Sequence, residues 1–229
     1  MTPRIAHSTD ETDDRPLIAV VGALSKQGRG VAAALLQSGR YRVRALTRRP
    51  DSPEAQRLAQ LGATLAEVPL ELGQKAAFVE AFRDARGAFL MTPGAPPDTF
   101  EIALGKEQAD AAVAEGVQHV IFSSLENVRA ITGGKKWAPH FTDKAVIEDY
   151  IRGLPLTSSF VQLALFYSNL LEYYPPRQEN GKLTFSLYLP ADVPIPFVDA
   201  LAAAGPAVRE MFDRPTRTAD VRCLSLARC

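Results

Sequence analysis

Cysteine is scarce in this chain of 229 residues: Cys223 and Cys229 are the only two, both close to the C-terminal end. Two thiols so placed build no disulfide framework. With three scattered histidines, they also complete no zinc site. The expectation is two free thiols in an intracellular, cytoplasmic protein, with the nucleus as a further compartment. Long apolar runs are missing too. The longest, Phe160 to Leu171, is interrupted by Gln162, Ser168 and Asn169 and falls short of a membrane helix. The opening stretch, MTPRIAHSTDETDDRP, has no apolar segment, which argues against a secretory signal. Net charge is absent as well, because 26 Lys and Arg offset 26 Asp and Glu. A general nucleic-acid binder is usually clearly basic, so neutrality argues against that class. What is present is globular: 46% hydrophobic residues, 23% charged, and enough length for one large domain with a core.

The neutrality is a sum of opposites. Eight basic residues (Arg15, Lys26, Arg29, Arg40, Arg42, Arg44, Arg48, Arg49) and no acidic ones stand between Arg15 and Pro50. The remainder holds 18 basic and 26 acidic residues, a net of −8. Such a block is ordinarily a solvated face, so its meaning depends on where it falls in the fold.

Read in order, the chain alternates. Residues 1–15 are polar and expected to be a disordered tail. An apolar run from Leu17 to Val21 reads as a buried parallel strand, and Gly28 to Ser38 as a helix. Strands follow at 41–47, 64–68, 88–92, 117–122 and 157–163. The helices between them open at Ser52-Pro53 (with Ser52 as the cap), near Gln74, at Thr99 and at Thr142 as a cap. Six strands alternating with helices predict an α/β protein: a Rossmann-type, doubly wound parallel sheet over residues 16–174. Pro175-Pro176 marks a boundary. Beyond it come a strand at 183–189 and a helix at 200–212, read as a small substrate-side segment over 175–212. Residues 213–229 are expected to be an irregular tail.

The first strand runs into Gly22-Ala23-Leu24-Ser25-Lys26-Gln27-Gly28 and then a helix. Glycine at 22 permits a sharp turn, and glycine at 28 lets the helix lie close to the strand. Backbone N–H groups at the helix start then face a pyrophosphate, so residues 22–28 are candidate cofactor contacts. At the end of the second strand a site preferring NAD usually carries a carboxylate for the ribose hydroxyls. Here the segment is Thr47-Arg48-Arg49. A guanidinium suits a 2′-phosphate, which predicts NADP, with Arg48 as the contact and Arg49 in reserve.

At this point the chain resembles the NmrA-like family, an atypical branch of the short-chain dehydrogenase/reductases. The resemblance covers about residues 17 to 212. It rests on IAVVGALSKQG, VRALTRRP, VIFSSLENV, HFTDKAVIEDYIRGLP and DVPIPFVD. The family pattern at the first turn has three glycines, and this chain has Ser25 at the middle position. Ser25 adds a Cβ where the pyrophosphate should approach, while its hydroxyl can donate to a phosphate oxygen. The resemblance implies further NADP contacts at Thr92, Lys106 and Lys144, with Phe166-Tyr167-Ser168-Asn169 near the nicotinamide end. It also implies a C-terminally shortened substrate region, since family members continue well beyond this length.

Short-chain dehydrogenases place a tyrosine four residues before a lysine, with a serine from strand five. Here Lys144 is in place and Ser123 and Ser124 stand at the strand end, but residue 140 is histidine. Lys144 and His140 are therefore the candidate catalytic pair. His140 has two readings: an acid near neutral pH, or a structural residue, the latter favoured. Tyr150, Tyr167, Tyr173 and Tyr174 are substitute proton donors among which nothing selects. His119 reads as a strand-edge residue without a visible partner.

Three functions follow. One is an NADP-dependent oxidoreductase acting on a small carbonyl, imine or enone, in the setting of secondary metabolism. Another is a non-catalytic NADP(H) redox sensor that docks on a regulatory protein such as a transcription factor. The last is a degenerate product without ligand. Neither of the first two calls for direct nucleic-acid or membrane binding.

Overall fold

A computed structural model describes residues 13–93, 100–187, 192–219 and 222–224. In chain order the elements are β1 (Leu17–Val20), α1 (Lys26–Gln37), β2 (Arg42–Thr47), α2 (Pro53–Gln60), β3 (Thr64–Glu67), α3 (Lys75–Phe82) and β4 (Gly87–Leu90). Then come α4 (Phe100–Ala114), β5 (His119–Ser124), α5 (Val128–Ile131), α6 (Pro139–Arg152), β6 (Thr157–Gln162), β7 (Leu165–Phe166) and α7 (Asn169–Glu172). The chain finishes with β8 (Arg177–Glu179), β9 (Lys182–Thr184), β10 (Phe197–Val198), α8 (Ala200–Asp213), α9 (Pro215–Thr218) and β11 (Arg222–Leu224).

Seven strands form one parallel sheet in the order β11-β6-β5-β4-β1-β2-β3. The order reverses between β1 and β4, so their carboxyl ends splay apart and leave a crevice. Alternation along β1 explains why its run is apolar throughout. Leu17, Ala19 and Val21 face Phe78, Phe82, Leu104, Phe122 and Ile147 on the side of α3, α4 and α6. Ile18 and Val20 face Val31, Leu35, Phe89, Val208 and Met211 on the side of α1 and α8. A strand buried on both faces needs apolar residues at every position.

The C-terminal part departs from the expected plan. Helix α8, assigned from the sequence to a substrate-side segment, packs on α1 against the sheet. The approach is close: a Cβ on Gly30 would sit 2.2 Å from the Leu201 carbonyl oxygen, and one on Gly205 would sit 2.3 Å from that of Gly30. Arg222–Leu224, inside the stretch expected to be irregular, pairs in parallel with β6 and covers what would otherwise be a sheet edge. Residues 177–184 form a hairpin closed by Asn180-Gly181, both with positive φ. The strand expected at 183–189 is thus the second arm of that hairpin as far as Thr184, and residues 188–189 lie outside the described residues.

Smaller differences have local causes. Ser52 caps α2, accepting from the Ala55 amide at 3.3 Å with Pro53 in the first turn. Helix α6 starts at Pro139 rather than after Thr142, because proline's fixed φ suits a first turn and needs no hydrogen-bond acceptor. Between β5 and α6 the chain forms α5, capped by Asn127, which accepts from the Ala130 amide at 3.0 Å. His119 is not an edge residue without a partner. It is buried on a central strand, its Nε2 is 2.8 Å from Ser159 Oγ, and its ring meets Phe212 edge-on. Of the N-terminal tail, residues 1–12, His7 among them, lie outside the described residues, as does Cys229. Arg15 pairs with Asp13 at 2.6 Å and donates to the Gly39 carbonyl at 3.2 Å.

Candidate functional site

The crevice at the strand-order reversal is floored by the turn after β1. Gly22 has φ +64°, the left-handed region that favours glycine, and a Cβ there would meet Met91 Sδ at 2.4 Å. Gly28 lies against that turn: a Cβ on it would stand 2.2 Å from the Gly22 carbonyl oxygen. Backbone bonds pin the turn, with Val21 N donating to Phe89 O, Ala23 N to Leu46 O and Ser25 N to Gly22 O. Ser25 is the N-cap of α1, its Oγ accepting from the Gly28 amide at 3.0 Å. That bond uses a lone pair and leaves the hydroxyl hydrogen available to an anion. Gln27 is held sideways against β5, its Oε1 accepting from Ser123 Oγ at 2.7 Å.

Two cavities meet over this turn, sharing Leu24 and Ser25. One, of about 330 Å³, is lined by Gly22, Leu46, Thr47, Arg48, Arg49, Leu70, Glu71 and Pro93 as well. The Arg49 amide donates to Thr47 Oγ1 at 3.1 Å, fixing the backbone at the end of β2, and both arginines are exposed. The other cavity, of about 410 Å³, is completed by Lys26, Gln27, Arg29, Met91 and Phe166. The crevice therefore has an arginine end, a glycine-serine turn at its middle and a Phe166 end.

Beside it lies a buried polar cluster. Lys144 Nζ donates to Glu101 Oε1 at 2.5 Å, to Thr92 Oγ1 at 2.7 Å and to the Thr92 carbonyl at 2.8 Å. Thr92 Oγ1 in turn donates to Glu101 Oε1 at 2.6 Å. Burial pushes the Lys144 pKa down, opposed by the Glu101 carboxylate and by Asp143. All three ammonium hydrogens have acceptors inside the protein. A second buried carboxylate, Glu148, takes Ser124 Oγ at 2.5 Å, Arg152 Nη2 at 2.7 Å and Arg222 Nε at 2.6 Å. It ties strand β11 to α6.

Of the residues singled out from the sequence, Gly22, Leu24, Ser25, Lys26, Gln27, Arg48 and Phe166 line the two cavities. Ala23 is buried beneath the turn, and Gly28 packs behind it. Thr92 and Lys144 are bonded to each other between Met91 and Pro93, which line the crevice, and α6. Tyr167, with its ring stacked on Phe197 at 5.5 Å, and Ser168 and Asn169 continue the chain from Phe166. Lys106 is set over the Tyr150 ring at 4.9 Å, between α4 and α6. His140 is exposed on α6, its ring 4.9 Å from that of Phe141. Tyr150 donates to Asp110 at 2.6 Å, which raises its pKa and commits its proton, and Tyr173 is exposed. Met91, Leu70 and Arg29 were not anticipated. Met91 and Leu70 follow strand ends at the crevice, which is the signal that places them there.

The strand order, the crevice position and the glycine turn define a dinucleotide-binding type of α/β protein. Comparison with known proteins narrows this. The chain matches the NmrA-like family over residues 14–228 and belongs to that family. It is 32% identical to an NmrA-like family domain-containing oxidoreductase, lnaB, of Aspergillus flavus, over 89% of this chain and 66% of that protein. It is 31% identical to the nitrogen metabolite repression protein nmrA of Emericella nidulans, over 85% of this chain and 56% of that protein. Solved structures of NmrA, a negative transcriptional regulator, in complex with NAD and with NADP each superpose with a TM-score of 0.81 at 29% identity. They cover 92% of this chain and 66% of the other. The chain thus spans about two thirds, or less, of the length of these relatives. Among the described residues no helix is long and apolar enough to cross a membrane, and no cluster of side chains is arranged to hold a metal.

Proposed function

We propose that this chain binds NADP(H) across the crevice and serves as the nucleotide domain of an oxidoreductase acting on a small carbonyl, imine or enone. The observation that carries it is the pair of cavities meeting at the Gly22–Gly28 turn, with Arg48 and Arg49 at one end and Phe166 at the other. The residues fit the cofactor: Gly22 supplies the positive φ that turns the chain beneath the crevice, and the α1 N-terminus offers amides and a positive dipole end to a pyrophosphate. Ser25 Oγ–H is a further donor there. Arg48 would take the 2′-phosphate, with Arg49 beside it. Leu46, Leu70 and Pro93 supply an apolar bed for the adenosine, and Phe166, followed by Tyr167, Ser168 and Asn169, flanks the nicotinamide end. When bound, the cofactor supplies a hydride donor or acceptor.

Lys144 acts in this reading through Thr92, fixing the end of β4 beside the nicotinamide half. Lys106 acts at the α4–α6 seam. His140, exposed at the start of α6, stands four residues before Lys144, the position of the usual tyrosine. Relatives named as oxidoreductases support the enzymatic reading. A second reading, a non-catalytic NADP(H) sensor for a protein partner, is favoured by one observation: every Lys144 ammonium hydrogen is spent inside the protein. The two separate on NADPH oxidation over a carbonyl, imine and quinone panel, using protein whose NADPH binding is first established by calorimetry. Turnover that falls in His140→Ala supports the enzyme. Saturable binding with no oxidation of NADPH by any substrate overturns it in favour of the sensor.

A further inference from the structure

Lys26 opens α1 and lines the larger cavity together with Phe166. Its ammonium is already engaged: Nζ donates to Glu172 Oε2 at 2.5 Å, across 146 residues of sequence. Glu172 ends α7, in the segment that starts with Phe166. That segment is tied down at its other side. Strand β7 pairs with β10, the Tyr167 amide donates to the Val198 carbonyl at 3.0 Å, and Tyr167 stacks on Phe197. Residues 165–172 therefore form a strap, fastened to β10 at one end and to the start of α1 by the Lys26–Glu172 ion pair at the other.

From this geometry we propose that Glu172 is an intramolecular stand-in for the dinucleotide's phosphates: it holds Lys26 while the crevice is empty and yields it when a pyrophosphate arrives. The inference rests on the proposed NADP(H) site and names how that site is regulated. Two features carry it. The first turn of α1 favours an anion through its amides and dipole, and Lys26 stands at that turn. The carboxylate now on Lys26 is of the same sign as the incoming phosphates, so ligand and latch compete for one cation and repel each other. The pair is also cheap to open, with side chains 33% and 47% exposed, because water and salt screen it. Opening it releases the strap that carries Phe166, so capture of the phosphates is coupled to movement at the nicotinamide end.

The test uses the whole chain, with Glu172→Gln, Lys26→Met and the double variant. Glu172→Gln, nearly isosteric and without the charge, should bind NADPH about three- to fivefold more tightly at low salt, with the gain fading as salt rises. Lys26→Met should weaken NADPH binding, and adding Glu172→Gln to it should then change little. Without any nucleotide, hydrogen exchange of the 170–173 amides should quicken in Glu172→Gln. Unchanged or weaker NADPH binding in Glu172→Gln, or a gain that persists in the Lys26→Met background, overturns the competition. Unchanged exchange in the nucleotide-free protein overturns the latch itself. Wild-type protein that binds no nucleotide refutes the site reading, and the exchange measurement still judges the latch.

Discussion

Buried titratable groups govern what single substitutions do. Glu101 and Lys144 neutralise each other out of water, so removing one partner strands the other. Lys144→Met should lower unfolding free energy by about 3–5 kcal/mol in urea titrations. Restoring balance with Glu101→Leu in the same chain should recover part of the loss. His119 acts through pH. Its pKa is ordinarily 6.5, and burial lowers it to about 4 in the folded protein. Ser159 Oγ donates to the Thr218 carbonyl at 2.7 Å, so it accepts from His119 Nε2–H, which fixes the neutral tautomer. Below its ordinary pKa the unfolded chain takes up a proton that the folded chain refuses. Stability contributed here is present above about 6.5, falls as pH drops toward about 4 by roughly 3 kcal/mol, and levels off below. His119→Gln should flatten that part of the stability–pH curve. Neither pairing was legible in the sequence. Glu101 and Lys144 stand 43 residues apart, His119 and Ser159 stand 40 apart, and no local pattern joins them. Gly22, Gly28 and Ser52 were legible because each requirement is local: a positive φ, a close crossing, a first-turn cap.

At the scale of elements, β1 and β4 were the most legible strands, because both are buried at every position and burial on both faces demands apolar runs. Strand β11 was not, since three residues carry no period and its pairing depends on the exposed edge of β6. The β8–β9 hairpin has a signal in Asn180-Gly181, the dipeptide whose backbone twist matches paired strands, but its arms are only three residues each, too short to show alternation. Helix α8 is legible as a helix but its packing on α1 is not, because nothing in its own sequence says which surface it covers. The glycine pair across α1 and α8 explains the placement: two backbones meet where no Cβ fits. Gly205→Ala should therefore cost about 1–3 kcal/mol and lower Tm, since the obstructing atom is the Gly30 carbonyl rather than a pliable side chain. A melt unchanged by the substitution would show that the two helices part without penalty.

For the molecule as a whole, zero net charge divides into a basic stretch, of which Lys26, Arg29, Arg48 and Arg49 line the crevice, and an acidic remainder. The basic residues do different jobs. Arg44 donates to the Ala81 and Arg83 carbonyls and stitches β2 to α3, Lys26 is held by Glu172, and Arg48 and Arg49 stand exposed on the smaller cavity. Composition alone could not separate these roles, and it is the end of β2 that sets Arg48 and Arg49 on the smaller cavity. The proposed function puts a dinucleotide in the crevice with its 2′-phosphate on Arg48. It is tested most directly by calorimetric titration of the wild-type chain and Arg48→Glu with NADPH and NADH. The wild type should bind NADPH at least about tenfold more tightly than NADH, and Arg48→Glu should erase that preference while leaving NADH binding close to its original strength. No binding of either nucleotide, or an NADPH affinity untouched by Arg48→Glu, would contradict it.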